Sequence, residues 1–349
     1  MSRFNTDTRV LVLYSEVMPY TLGVLEEMER RKNTEILLVY WDHLRLTPFS
    51  FEASSTLTAI PRSKLSWPEA EKLFFDFDPT HIWTSGRMDQ LYLKANLAFK
   101  KSKPATIRIM GCDNQWKGTL KDKMRKVLGY WLYRKYFDFI WVPGPRQENF
   151  ALNVGFSKSK IIPNLLTCSP EWFEHTSPLN STRILYVGRL SANKNVQRLI
   201  DAFEALPSSI AATLFLRIVG SGNPADYRVS HPHVEFYPFE SQEELINHGK
   251  DSDLFCLPSI HEPFGVVVHE FAAMGLPLVL SDQVGSGPVF LKEGYNGYYF
   301  DPLNLSQLVQ KLHDYYSLTL EEKIQMGKNS KSLARRISPK SAVDSFFSL

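Results

Sequence analysis

The chain has 349 residues, 44% hydrophobic and 22% charged, which at roughly 150 residues per domain is enough for about two domains with buried cores. Forty Lys and Arg against 37 Asp and Glu leave a formal charge of +3, so bulk charge names no partner. The balance excludes a disordered, collagen-like or coiled-coil chain. No apolar run reaches the roughly 18 residues of a membrane span. The start, Met1 to Arg9, is polar and lacks the apolar centre of a signal peptide. Cys112, Cys168 and Cys256 lie far apart in sequence and form no C-x-x-C pair. They argue against a disulfide framework or a cysteine zinc site and point to a reducing, cytoplasmic setting.

In chain order, Val10 to Tyr14 is a continuous apolar run, as a strand buried on both faces requires. Leu22, Leu25 and Met28 follow at helical spacing, and Glu35 to Trp41 is the next apolar run. Strand, helix and strand within about 30 residues form a parallel crossover unit. Further strands are predicted at 80–84, 105–110 and 139–142, with a helix at 119–136 before the last. Residues 165–182 hold no steady period and read as an interdomain linker. The alternation then restarts. Arg183 to Val187 is a strand ending at Gly188, and Val196, Leu199, Ile200 and Phe203 mark a helix. Strands are predicted at 213–219, 253–257 and 278–280. Ser241 to Glu244 fits a capping box, Pro263 to Met274 reads as a helix, and residues 305–349 look helical with a break at Pro339. Two doubly wound α/β domains would hold ligands at the carboxyl ends of their strands.

The richest stretch is His261-Glu262-Pro263-Phe264-Gly265-Val266-Val267-Val268-His269-Glu270. It follows a strand and opens a helix, with Pro263 suited to the first turn. The amides of Phe264, Gly265 and Val266 would be unpaired within the helix and backed by its positive dipole end, which makes an anion site suited to phosphate. Glu262 and Glu270 would then accept hydrogen bonds from sugar hydroxyls, since a carboxylate repels phosphate. Arg189 and Lys194 follow the preceding strand and can balance a diphosphate without a metal.

These residues, VGRLSANKN followed by HEPFGVVVHEFAAMGLPLVLSD, resemble the retaining glycosyltransferases of family 4, in the GT-B group of glycosyl transferases group 1. The resemblance is specific over 183–300. It implies two Rossmann-like domains facing across a cleft: 1–165 for the acceptor, 180–330 for the nucleotide sugar, and 331–349 as a C-terminal helix packing back on the first domain. It implies that Arg189 and Lys194 bind the donor diphosphate, that Glu270 binds the ribose, and that Glu262 lies by the transferred sugar. Phe264, Gly265 and Val266 would present amides, and Gly220 lies where the family holds the base. Asn195 stands where many members have Gly. The activity implied is transfer of a sugar from a nucleotide-diphosphate sugar to an acceptor hydroxyl, retaining and without a metal or other cofactor. Polysaccharide or glycolipid biosynthesis is the implied setting. An epimerase, a phosphorylase or a non-catalytic sugar-nucleotide binder are the alternatives on the same fold.

In the first half, the loop after the first strand lacks G-x-G-x-x-G, so a dinucleotide reading fails. Where family members often carry two Gly, this chain has Leu22-Gly23, and Gly23 is expected to give backbone access to the donor. The region where the family places a His near the sugar reads Arg108 to Trp116 without one; Asp113 is the nearest candidate for a hydroxyl contact or proton acceptor. From Lys94 to Lys135 twelve cations meet two acids, interleaved with Tyr130, Trp131, Tyr133, Tyr136 and Phe137. That suits an anionic membrane surface and a lipid-linked acceptor, against a plain solvated face over core aromatics. No nucleic-acid module is recognisable. His261 and His269 lack the spacing of a zinc motif, and no metal is expected.

Overall fold

The structure is a computed structural model that describes residues 8–42 and 57–349. Most of the polar start read above, residues 1–7, lies outside the described residues. The chain divides into two compact units, Met1–Thr167 with Pro339–Leu349, and Cys168–Ser338.

Unit 1 carries the strands β1 (Thr8–Tyr14), β2 (Thr34–Tyr40), β3 (Thr58–Pro61), β4 (His81–Ser85), β5 (Ile107–Gly111), β6 (Phe139–Trp141) and β7 (Ile161–Ile162). They form one parallel sheet in the order β3-β2-β1-β4-β5-β6-β7. Val10, Leu11, Val12 and Leu13 are fully buried, because helices cover both faces of a parallel sheet. The helices are α1 (Pro19–Glu29), α2 (Trp67–Phe77), α3 (Gln90–Ser102), α4 (Leu120–Val127) and α5 (Pro145–Asn153). The strand order reverses between β1 and β4, where Val10 lies opposite His81.

The predicted helix 119–136 is interrupted. Thr119 and Asp122 make a capping box at its start, and α4 stops before Gly129. A side chain at Gly129 would meet the Val154 carbonyl at 2.2 Å, so close backbone approach fixes glycine there, and a π turn Tyr130–Arg134 follows. Periodicity overlooks α2, although Ser66 and Glu69 form a capping box before it.

Unit 2 repeats the plan with β8 (Arg183–Val187), β9 (Phe215–Val219), β10 (Val234–Tyr237), β11 (Leu254–Leu257), β12 (Leu278–Ser281) and β13 (Gly297–Phe300). All neighbours are parallel, in the order β10-β9-β8-β11-β12-β13, which reverses between β8 and β11. The helices are α6 (Val196–Glu204), α7 (Ser208–Ala211), α8 (Gln242–Lys250), α9 (Val266–Ala273), α10 (Gly287–Phe290), α11 (Leu305–Tyr316) and α12 (Leu320–Ala334).

The segment 165–182 is not a free-standing linker. From Cys168 onward it belongs to unit 2. Trp172 is buried edge-on against Phe271, 5.4 Å between ring centroids, and the Cys168 N–H donates to His269 Nδ1 at 3.0 Å. The C-terminal stretch also divides differently: α12 runs to Ala334, and α13 (Pro339–Phe346) opens at the proline that cannot continue a helix. The α13 helix belongs to unit 1, where Asp344 pairs with Arg31 at 2.7 Å and Phe346 packs on Trp141 at 5.0 Å. Among the described residues no helix is long and apolar enough to cross a membrane.

Candidate active site

The carboxyl edge of the unit 2 sheet is built by backbone packing at three strand ends. Gly188 N–H donates to the Val219 carbonyl at 3.0 Å, Leu190 N–H to Ser221 at 2.7 Å, and Gly220 N–H to Tyr237 at 3.1 Å. Gly220 has φ +152°, and a Cβ there would sit 2.0 Å from the Gly188 carbonyl oxygen. Its glycine is thus required by strand-end packing whatever ligand arrives. Tyr186 donates its hydroxyl to the Arg189 carbonyl at 3.0 Å and shapes the turn. Arg189 is exposed, and its guanidinium forms no ion pair among the described residues.

Lys194 closes a single 3-10 turn, Ala192–Lys194. Asn195 then takes the left-handed conformation at φ 57°, ψ 34°, which Asn tolerates better than most side chains. Its Nδ2 donates to the Pro258 and Pro302 carbonyls at 3.1 and 2.9 Å. Asn195 thus holds a left-handed turn and anchors it to two neighbouring loops.

Lys194 Nζ donates directly to the Glu262 carboxylate in an ion pair. Glu262 is buried, and its carbonyl accepts from Gly285 N–H at 3.0 Å. Gly265, at φ +87°, caps α9, so the helix begins at Val266, not at Pro263. Ser286 fixes the preceding loop: its N–H donates to the Phe264 carbonyl at 2.8 Å and its hydroxyl to Gly265 at 3.1 Å. The Phe264 ring is buried near Phe290, so this residue offers the site only its main chain. In the first turn of α9 the Val268 N–H already donates to the Gly265 carbonyl at 3.1 Å, and the positive end of the helix lies at this loop.

Glu270 is the fifth residue of α9, little more than one turn in, not two. Its side chain makes no hydrogen bond or ion pair among the described residues, and burial pushes its carboxyl up to about 7. The neighbouring His269 is structural: burial lowers it to about 4, Nδ1 accepts from Cys168 and Nε2 donates to the Ala334 carbonyl at 3.1 Å. Among the described residues no group of three His, Cys, Asp or Glu side chains is placed to hold a metal.

Unit 1 has a cavity of about 810 Å³ at the carboxyl ends of β1, β4 and β5. Asp113 lies exposed on the loop after β5 and lines it, with Arg87, Lys121 and Arg125. Arg125 is held at 3.0 Å by Asp122, and the Arg87 guanidinium lies 5.2 Å from the centre of the Tyr133 ring. Gly23 is not on the loop after β1: it is the fifth residue of α1, which starts at Pro19, and it is buried. Its N–H thus falls within the helix's own hydrogen-bond ladder. The sequence pattern misses Tyr186, Ser286 and Arg87. The first two act through backbone carbonyls, which leave no spacing signature.

Residues 170–333 match the family described as glycosyl transferases group 1. An uncharacterised glycosyltransferase of Methanocaldococcus jannaschii is 36% identical over 129 residues, 35% of this chain and 32% of that protein. The D-inositol 3-phosphate glycosyltransferase of Mycolicibacterium smegmatis is 29% identical over 134 residues, 34% of this chain and 29% of that protein. These matches span about a third of each relative. Among solved structures, Anabaena HepE in complex with UDP and glucose superposes with a TM-score of 0.71 at 15% identity, covering 98% of this chain and 100% of that one. The chain has the GT-B fold.

Proposed function

We propose, from a second unit that is a group 1 glycosyltransferase domain within a GT-B chain, that the protein moves a sugar from a nucleoside-diphosphate sugar to an acceptor hydroxyl. One observation carries this reading: Lys194 is held by Glu262 beside the loop that opens α9. A cation fixed by a buried carboxylate beside the positive end of a helix suits a diphosphate leaving group. Arg189 supplies a second, exposed cation. Phe264, Gly265 and Val266 contribute main-chain amides to sugar and phosphate. Glu262 positions Lys194 and accepts a hydroxyl of the transferred sugar, and Glu270 accepts the ribose hydroxyls.

The acceptor binds in the unit 1 cavity, with Asp113 accepting a hydrogen bond from its hydroxyl. Support for a saccharide or lipid-linked acceptor comes from the cavity's mixed lining of Asp113, Arg87 and Lys121. Retention of configuration, independence from metal or other cofactors, and a role in polysaccharide or glycolipid biosynthesis rest on the resemblance to family 4. A UDP donor is favoured by the likeness to HepE, whose complexes hold UDP. A cytoplasmic setting rests on the sequence, whose three cysteines lie far apart and form no C-x-x-C pair.

The test is a thermal-shift screen against UDP-, GDP- and ADP-sugars, followed by product analysis in EDTA. A true donor at a hundredfold excess over Kd stabilises by about 2.7 kcal/mol. Transfer with retention in EDTA is expected. An epimerised donor, a phosphate-dependent product or no response to any donor would overturn the proposal.

A further inference from the structure

The α4 helix is turned inside out. An amphipathic helix on a water-soluble domain faces its apolar stripe inward and its charges outward. In α4 the only buried residue is Asp122, which accepts from the N–H groups of Lys117 and Thr119 and from the Arg125 guanidinium. Leu120, Met124 and Val127, spaced i, i+4 and i+7, are 80%, 62% and 82% exposed. The stripe continues past the helix end through Trp131, 62% exposed, with Tyr130 standing edge-on to it at 5.4 Å. The other aromatics of the segment turn the opposite way: Tyr133 and Phe137 are core. The sequence expectation thus divides, with some aromatics supporting the fold and two left outside it.

The border of this stripe is cationic. Lys121, Lys123, Lys126 and Arg134 are exposed, and Lys135 lies against the Trp131 ring at 5.8 Å. The only acid between Asn114 and Phe137 is Asp122, and it is already buried and paired. A contiguous exposed apolar patch with one sign of charge around it is an interaction surface, not a solvated face.

We propose that α4 and the following π turn form a docking surface for an anionic lipid bilayer. Leu120, Met124, Val127 and Trp131 enter the headgroup boundary while the surrounding Lys and Arg pair with lipid phosphates. Charge complementarity selects this occupant: a second copy of the chain would set the same cations against each other. Lys121 and Arg125 also line the unit 1 cavity, so docking carries that cavity's rim to the headgroups.

The experiment uses the full chain and needs no nucleotide sugar, so its failure is separate from any failure of the transfer reading. The protein is pelleted with vesicles of phosphatidylcholine alone or with phosphatidylglycerol added, at low and high salt. Binding to the anionic vesicles only, weakened by salt, is expected. Combined Leu120→Ser, Met124→Ser, Val127→Ser and Trp131→Ser should abolish it with Tm unchanged. Lys121→Ala and Lys123→Ala should each weaken it about fivefold. Leu303→Ser with Leu320→Ser, exposed apolar positions of unit 2, should leave it intact. Equal binding to neutral vesicles, no binding to either, or a dimer in sedimentation that the four-serine variant splits would overturn the proposal.

Discussion

Lys194 and Glu262, 68 residues apart, are bonded to each other at the mouth of α9. The cation and the carboxylate expected to meet different parts of one ligand are partners first. Their side chains are only 18% and 9% exposed, so neither charge is free of the other.

Lys194→Met should therefore cost stability as well as activity. It strands a buried carboxylate, a loss of about 2 kcal/mol for a pair still partly open to water, against roughly 3–5 for fully buried pairs. Adding Glu262→Gln should restore most of that stability and none of the transfer. Melting temperatures and turnover of the two single variants and the double variant check it; a double variant as unstable as Lys194→Met would contradict the pairing.

Arg189 is exposed and forms no ion pair among the described residues, so its role separates cleanly from folding. Arg189→Ala should leave the melting point within the error of surface changes, about 0.5 kcal/mol. Transfer should fall about 10- to 100-fold if the guanidinium meets the diphosphate. Wild-type turnover with a verified donor would remove Arg189 from the site.

Glu270 titrates near neutrality. Burial raises its carboxyl from 4.5 to about 7, so between those values the folded chain holds a proton that the unfolded chain has lost. Stability contributed by the neutral form is complete below about pH 4.5 and is lost as the pH rises through 7. Glu270→Gln should thus be more stable than wild type at pH 8, by on the order of 2 kcal/mol, and equal to it near pH 4. If the ionised carboxylate accepts ribose hydroxyls, nucleotide binding at pH 6 should release a proton, visible as buffer-dependent heat in calorimetry. The Gln variant should show none.

Gly220→Ala tests strand-end packing without touching any proposed charge. The added methyl meets a backbone oxygen at 2.0 Å at a φ that alanine avoids. A fall of at least 2 kcal/mol is expected from overpacking and backbone strain together. Thermal unfolding measures it. An unchanged melting point would mean that the β8 and β9 ends are looser than drawn.

Much of the fold is legible in the residues. Buried parallel strands write themselves as apolar runs such as Val10 to Tyr14, and β8 is bounded as predicted, at Arg183 and Val187. Short edge strands are not: β3 and β10 are half exposed, so they carry no continuous run. The α9 start is misread by three residues because Pro263 has the right chemistry for a first turn, while the left-handed Gly265 sets the true one. Gly23 is misplaced for a related reason: glycine signals a loop, yet tertiary packing keeps this one inside α1.

What the linear order of residues determined by itself is the alternating α/β plan and the charged and glycine positions at the unit 2 strand ends, because hydrophobic period and chain-local spacing are properties of the string. What only the tertiary structure decided is which of those groups meet. The Lys194–Glu262 bond, the Asn195 anchors, the Ser286 clamp and the outward apolar face of α4 all join or expose residues according to how strands and loops stack. Such contacts are set by distance in space, which no spacing along the chain encodes.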